Sequence, residues 1–192
     1  MTAASVAGSA PAAPRSGRFV DPGAVFAGYV GLGMALVIAI AFELIIAVQS
    51  LVFIIAPIAG LLIGGYANQR SERWRPMKRV FANAAWAGLV SGLALALVYA
   101  ALRLLFIFAD TGPLPDGGQL SCHPGPDCTY QRYVAAGRAA ELASYGVTDG
   151  PSFGAFAVRE QAQGAGLIVL LTLSGSLVAA GIRSVRAPST RT

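Results

Sequence analysis

Two long apolar runs with a short basic segment between them dominate the first two thirds of the chain. Positions 24–66 hold only Glu43, Gln49 and Ser50 as strongly polar residues, and the run is about twice the ~20 residues that one membrane-crossing helix needs. The polar trio divides it, so the pattern predicts one helix over 24–47 and a second over 50–66, with a tight turn at 48–50. Pro57 lies inside the second, removes one backbone donor and predicts a bend there. The next apolar run, 80–109, is interrupted only by Asn83, Ser91 and Arg103. As a helix it would reach about 45 Å. That is longer than a hydrocarbon core of about 30 Å, so the third helix must tilt or project.

The stretch Asp110-Thr111-Gly112-Pro113-Leu114-Pro115-Asp116-Gly117-Gly118 is dense in helix breakers and ends that run. Residues 110–163 form the one sizeable polar region after the tail. Within it, 130–144 has helical composition with Gly146 placed to cap its end, and Asp149-Gly150-Pro151-Ser152 opens a further helix. That helix is expected to pass through Gly164 without a break into a fourth span at 164–185. The fold class is therefore an all-α integral membrane protein: four transmembrane helices and a small external loop region containing short helices. Residues 1–22, rich in Ala, Ser, Pro and Gly, read as a disordered tail, and 186–192 as a second short one. The tail lacks the apolar block of a signal peptide, so its Ala-Pro-Ala-Ala run is not read as a cleavage site.

Composition agrees with the pattern. The chain has 192 residues, 55% of them hydrophobic and only 12% charged, against about 25% charged in an ordinary soluble domain. A net charge of +5 raises the question of nucleic acid. The cations are few and sit in the tails and one loop, forming no basic face, so nucleic acid is not expected as a partner. Lys78 is the only lysine among fourteen basic residues, and Ala and Gly abound, which points to a GC-rich bacterial genome.

The same cations set the expected threading. The basic turn 67–79 carries Arg70, Arg73, Arg75, Lys78 and Arg79 against the single carboxylate Glu72. With the tails it holds most of the basic residues, while the 110–163 loop has only Arg132, Arg138 and Arg159. By the positive-inside rule this predicts a multi-pass protein of the plasma (inner) membrane, with both termini and the turn cytoplasmic and the loop outside. The five cations of the turn are also candidates for binding anionic lipid headgroups.

Candidate chemistry is sparse. Cys122 and Cys128 flank His123-Pro124-Gly125-Pro126-Asp127, whose turn residues would fold the chain back on itself. In an oxidising compartment this predicts a structural disulfide, adding about 2 kcal/mol for so short a ring. A thiol-disulfide oxidoreductase would favour Cys-x-x-Cys spacing. A metal site would have Cys122, His123 and Cys128 but no evident fourth ligand, so no cofactor is expected. Glu43 and Arg103 are the charged groups within the apolar runs, and both fall near the outer boundary, which predicts an intramembrane ion pair between the first and third helices or the reach of both side chains up to the interface.

Small residues recur every fourth position at Ala27, Gly31, Ala35 and Ala39 and again at Ala84, Gly88, Gly92, Ala96 and Ala100. Gly60 with Gly64 and Gly175 with Ala179 extend the pattern to the other two spans, and such ridges are expected to pack the bundle internally. Gly28, Gly31 and Gly33 follow no strand, which removes a dinucleotide-loop reading. No hydrolase or phosphate-loop motif occurs. The sequence thus predicts a non-enzymatic structural or accessory subunit, partnered by the bilayer and by another membrane protein. A small oligomeric transporter or channel using Glu43 is the alternative, and a membrane oxidoreductase using Cys122 and Cys128 the third.

Overall fold

The apolar runs fold as helices because a backbone in lipid has no water to satisfy its polar groups and must bond to itself. The computed structural model describes residues 18–41, 50–71, 76–114 and 117–186. Its helices are α1 (Pro22–Ile40), α2 (Ser50–Arg70), α3 (Met77–Phe108), α4 (Pro126–Ala135), α5 (Ala139–Ser144) and α6 (Gly150–Arg186). Among the described residues, α1, α2, α3 and α6 are the four long and apolar enough to cross a membrane. The protein is thus all-helical with a multi-pass architecture. Of the turn expected at 48–50, residues 48 and 49 lie outside the described residues and Ser50 begins α2.

The four long helices run alternately up and down. α2 and α3 touch each other, and each also packs on α1 and α6, which places α1 and α6 at opposite corners of the bundle. The start of α1, the end of α2, the start of α3 and the end of α6 share one end, here the turn end. At the other lies a cap made of α4, α5, the first turns of α6 and residues 111–114 and 117–125.

Small residues make this packing possible. Ala27, Gly31, Ala35 and Ala39 of α1 are all buried, as are Gly88, Gly92 and Ala96 of α3. Helices α2 and α6 cross with glycine against main chain on both sides. A Cβ built on Gly60 would stand 1.9 Å from the Thr172 carbonyl oxygen, and one on Gly175 2.0 Å from that of Pro57. Gly64 and Gly88 both face Ser176, with ideal Cβ positions 2.4 and 2.6 Å from its side chain. The helices therefore meet backbone to backbone. α2 stays helical through Pro57, and Gly175 seats against its carbonyl group.

The interior hydroxyls are satisfied within the bundle. Ser91 donates to the Ala87 carbonyl at 2.8 Å, Thr172 to Ile168 at 2.8 Å, and Ser176 across to Ala84 of α3. Around them, Val52, Ala56, Leu95, Ala96, Tyr99 and Ile168 form the core nearer the cap. Ala24, Ala27, Ile63, Ala67 and Ala87 form the core nearer the turn.

Three boundaries differ from the sequence reading, each for a local reason. Helix α1 begins at Pro22, and Asp21, assigned to the tail, is only 4% exposed. Helices α2 and α3 extend into the basic segment, leaving a shorter connection than 67–79. The single helix expected over 130–144 is two. Gly137 adopts φ 77°, and the Arg138 N–H bonds back to the Tyr133 carbonyl at 3.0 Å, the hydrogen bond that closes a helix with a left-handed glycine. Gly146, with φ 76° and Val147 N–H to Leu142 O at 3.0 Å, ends α5 as expected. Helix α6 runs unbroken from Gly150 through the fourth span.

The crossing geometry gives a direct test. Gly60→Ala and Gly175→Ala should each destabilise the bundle by about 1–3 kcal/mol through overpacking, whereas Gly65→Ala, whose new methyl meets nothing within 4 Å, should not. Thermal unfolding in detergent would measure this, and equal losses at positions 60 and 65 would refute the α2–α6 contact.

Candidate functional site

Polar chemistry gathers at the two ends of the bundle. At the turn end, Asp21 precedes the first turn of α1, and its backbone N–H donates to Asn83 Oδ1 at 2.9 Å. Asn83 Nδ2 returns a bond to Asp21 Oδ2 at 2.8 Å and reaches Ser71 Oγ at 3.2 Å. Arg79 Nη1 stands 3.8 Å from the same carboxylate. Asn68, fully buried, bonds the Gly64 carbonyl at 3.2 Å and the Val80 carbonyl at 3.3 Å. Three chain segments, the entry to α1, the end of α2 and the start of α3, are thereby tied together where the bundle meets the basic turn.

Of the five cations expected to meet headgroups, Arg70, Lys78 and Arg79 are described. Arg79 faces Asp21, and Arg70 lies over the rings of Phe26 and Tyr66 at 5.5 and 5.7 Å while donating to the Tyr66 hydroxyl at 3.1 Å. Lys78 is exposed. Arg73 and Arg75 lie outside the described residues, as does Glu43, so the Glu43–Arg103 pair is not described. Arg103 itself is half-buried near the cap end of α3, with its guanidinium 5.6 Å from the Tyr99 ring centroid.

At the cap end the hub is Asp110. Its carboxylate accepts from the Gly112 N–H at 2.8 Å, from Arg132 Nη2 at 2.6 Å and from the Thr129 hydroxyl at 2.9 Å. Its backbone carbonyl accepts from the Gly125 N–H at 2.7 Å. One residue thus fixes the end of α3, the following hairpin and α4. The sequence reading missed this, taking Asp110 only as part of a breaker segment; an acid directly after a long apolar run was the available signal.

Cys122 and Cys128 are disulfide-bonded, with Cα atoms 5.0 Å apart. Gly112, at φ 80°, lets the hairpin lie on the bridge, since a Cβ there would come within 2.7 Å of Cys122 Sγ. His123 is exposed, and its backbone N–H donates to Asp127 Oδ2 at 2.9 Å. Close by, Gly150 sits against Asp127, and Gly154 against Pro126, so α4 packs directly on the start of α6.

Between cap and bundle lies a cavity of about 240 Å3. Phe153, Phe156, Ala157, Glu160 and Gln161 of α6 line one wall at helical spacing, and Arg103 with Ile107 of α3 another. Arg138 and Glu141 close it from the cap, joined by two hydrogen bonds of 2.7 Å. Gln161 is 9% exposed, and its Oε1 is buried without a hydrogen-bond partner among the described residues. Leaving such a group unsatisfied costs about 1–3 kcal/mol.

No protein-family model matches the chain, and neither does any curated protein or any solved structure.

The titrations with a clear direction belong to the cap. The hydrogen bond from Arg138 holds the Glu141 carboxyl below the ordinary value, outweighing an opposing desolvation, and the same bond raises Arg138. Ser152 bonds lower Asp149. Carboxylates depressed in the folded state add stability above their unfolded pKa, about 4.3 for Glu and 3.9 for Asp. That stability disappears as pH falls through the folded values. Hydrogen exchange, corrected for its intrinsic pH dependence, should therefore show cap amides as protected at pH 5 as at 8, and less protected below about pH 4. Loss of protection on raising the pH from 5 to 8 would contradict the assignment. Independently, Asp110→Ala should loosen 112–135 by about 2–3 kcal/mol, as expected for losing hydrogen bonds to a charged acceptor. Unchanged exchange across that segment would dismiss Asp110 as its hub.

Proposed function

We propose that the protein is a non-catalytic structural or accessory component of a plasma (inner) membrane, with both termini and the basic turn cytoplasmic and the disulfide-braced cap outside. The observation that carries this reading is the closed interior of the bundle. Where α2, α3 and α6 meet, glycines bring backbones together, and Ser91, Thr172 and Ser176 spend their hydroxyls on carbonyl groups inside the structure. A conducting path needs polar groups lining a continuous passage, and these contacts leave little room for one within a single chain. The cysteine pair supports a bracing role in the same way. Joined to each other, the sulfurs offer neither a thiolate nucleophile nor thiolate metal ligands.

The threading follows from charge. The turn end carries the cations of the 67–79 segment, and the positive-inside rule assigns that end to the cytoplasm. A disulfide in the cap then falls in an oxidising compartment.

Two measurements test the reading together. After treatment of intact spheroplasts with a membrane-impermeant reductant, a membrane-impermeant maleimide should label Cys122 and Cys128; labelling only after permeabilisation would invert the topology. Purification from native membranes in mild detergent should retain a stoichiometric membrane-protein partner. Proton-linked flux in vesicles containing the protein alone, abolished by Glu43→Gln, would replace the accessory role with transport.

A further inference from the structure

We propose that the cavity between cap and bundle binds a small zwitterion bearing an ammonium group and an anionic phosphate or carboxylate, the chemistry of a phosphoethanolamine head group. The inference rests on the bundle lying in a bilayer and not on the accessory role, so the absence of a protein partner would leave it standing.

Two requirements of the cavity define the ligand. The buried Gln161 Oε1 needs a donor, and the described residues supply none. Glu160, the preceding residue, puts a carboxylate on the same wall. Tyr133, Phe153, Phe156 and Tyr145 form a chain of rings with successive centroids 5.6, 6.4 and 5.5 Å apart, lining the same space. A carbonyl acceptor, a carboxylate and aromatic faces together recognise an ammonium group.

A simple cation does not fit the rest of the lining. Arg103 and Arg138 also face the cavity, so with Glu141 and Glu160 the four charged groups among its described lining residues sum to zero. A lone cation or a lone anion would meet its own sign on one side. A zwitterion meets both signs in order, with its ammonium at Gln161 and Glu160 and its anionic oxygens toward the guanidinium groups. At about 240 Å3 the space is smaller than the roughly 300–1,000 Å3 of drug-sized pockets, which suits a head group or an equally small free molecule.

Position favours a lipid as one source. Arg103 and Ile107 belong to the last two turns of α3, and Ala157 to Gln161 directly precede the fourth span, so the cavity sits at the rim of the apolar zone. A free zwitterion from the aqueous side is the other source.

The full-length protein in mild detergent, mixed with equal amounts of phosphatidylethanolamine, phosphatidylcholine and phosphatidylglycerol, should retain the first in native mass spectrometry. If the source is soluble, O-phosphoethanolamine should instead raise the melting temperature with no lipid retained. Either result supports the proposal and identifies the source. Glu160→Gln, at an exposed position, should weaken the observed binding roughly tenfold, as should Gln161→Leu, through loss of a charge-assisted hydrogen bond. Phosphatidylglycerol retained as well as phosphatidylethanolamine would overturn the proposal. So would absence of both lipid preference and soluble protection, or binding unchanged in both variants while they melt as the parent does.

Discussion

Backbone-to-backbone contact between helices is the constraint on which the rest of the structure depends. In lipid there is no hydrophobic gain in joining one apolar helix to another, so association relies on dispersion and on hydrogen bonds made at short range. Gly60 and Gly175 let α2 and α6 approach until each helix faces the other's carbonyl groups. The residues met at that crossing are Thr172 and Ser176, compact and with hydroxyls already engaged. The small-residue ridges are therefore more than a compositional habit. Their four-residue step puts a glycine, alanine or serine wherever two helices would otherwise collide.

Where the bundle reaches water, a different means of cohesion takes over. Asp21, Asn83, Ser71 and Arg79 form a polar knot at the turn end, and Asp110 with Thr129 and Arg132 forms another at the cap end. Each joins segments distant in sequence, Asp21 to Asn83 being 62 residues apart. A hydrogen bond in these partly dry places is stronger than one in water. The lipid zone is thus held by shape and its two boundaries by direction-specific bonds. Among the described residues, the Asp, Glu, Lys and Arg side chains of the spans collect toward the two rims.

The spans were legible because apolar length is a strong signal, and the cysteine bridge because turn residues fill the space between its ends. Gly146 was legible as a cap for the same local reason. What escaped was the set of contacts that depend on tertiary placement. Asp21 reads as tail until α3 brings Asn83 beside it, and Asp110 reads as a breaker until α4 folds back with Thr129 and Arg132. Gly137 was missed because the helical composition on both sides outweighed one glycine whose left-handed conformation splits the segment. Gln161 carried no distinguishing signal, standing among Arg159, Glu160 and Gln163 in a long helix. Its isolation from donors is a property of the cavity and not of the sequence around it.

Helix α6 determines how the cap and the membrane portion relate. It spans 37 residues without interruption, contributing Phe153 and Ala157 to the cap core and Ile168 and Ala180 to the bundle. A hinge would need a weak point, and Gly164 stands where one would be expected. Yet its ideal Cβ position is 3.4 Å from the Tyr99 ring and 3.6 Å from Phe53, so that glycine is packed against two aromatic side chains. Ile107 adds a second attachment by carrying the end of α3 into the cap cluster. Two long helices therefore pass from one region to the other and join the cap to the bundle. The cavity lies between these two helices, with Arg103 and Ile107 of α3 on one side and Phe153 to Gln161 of α6 on another.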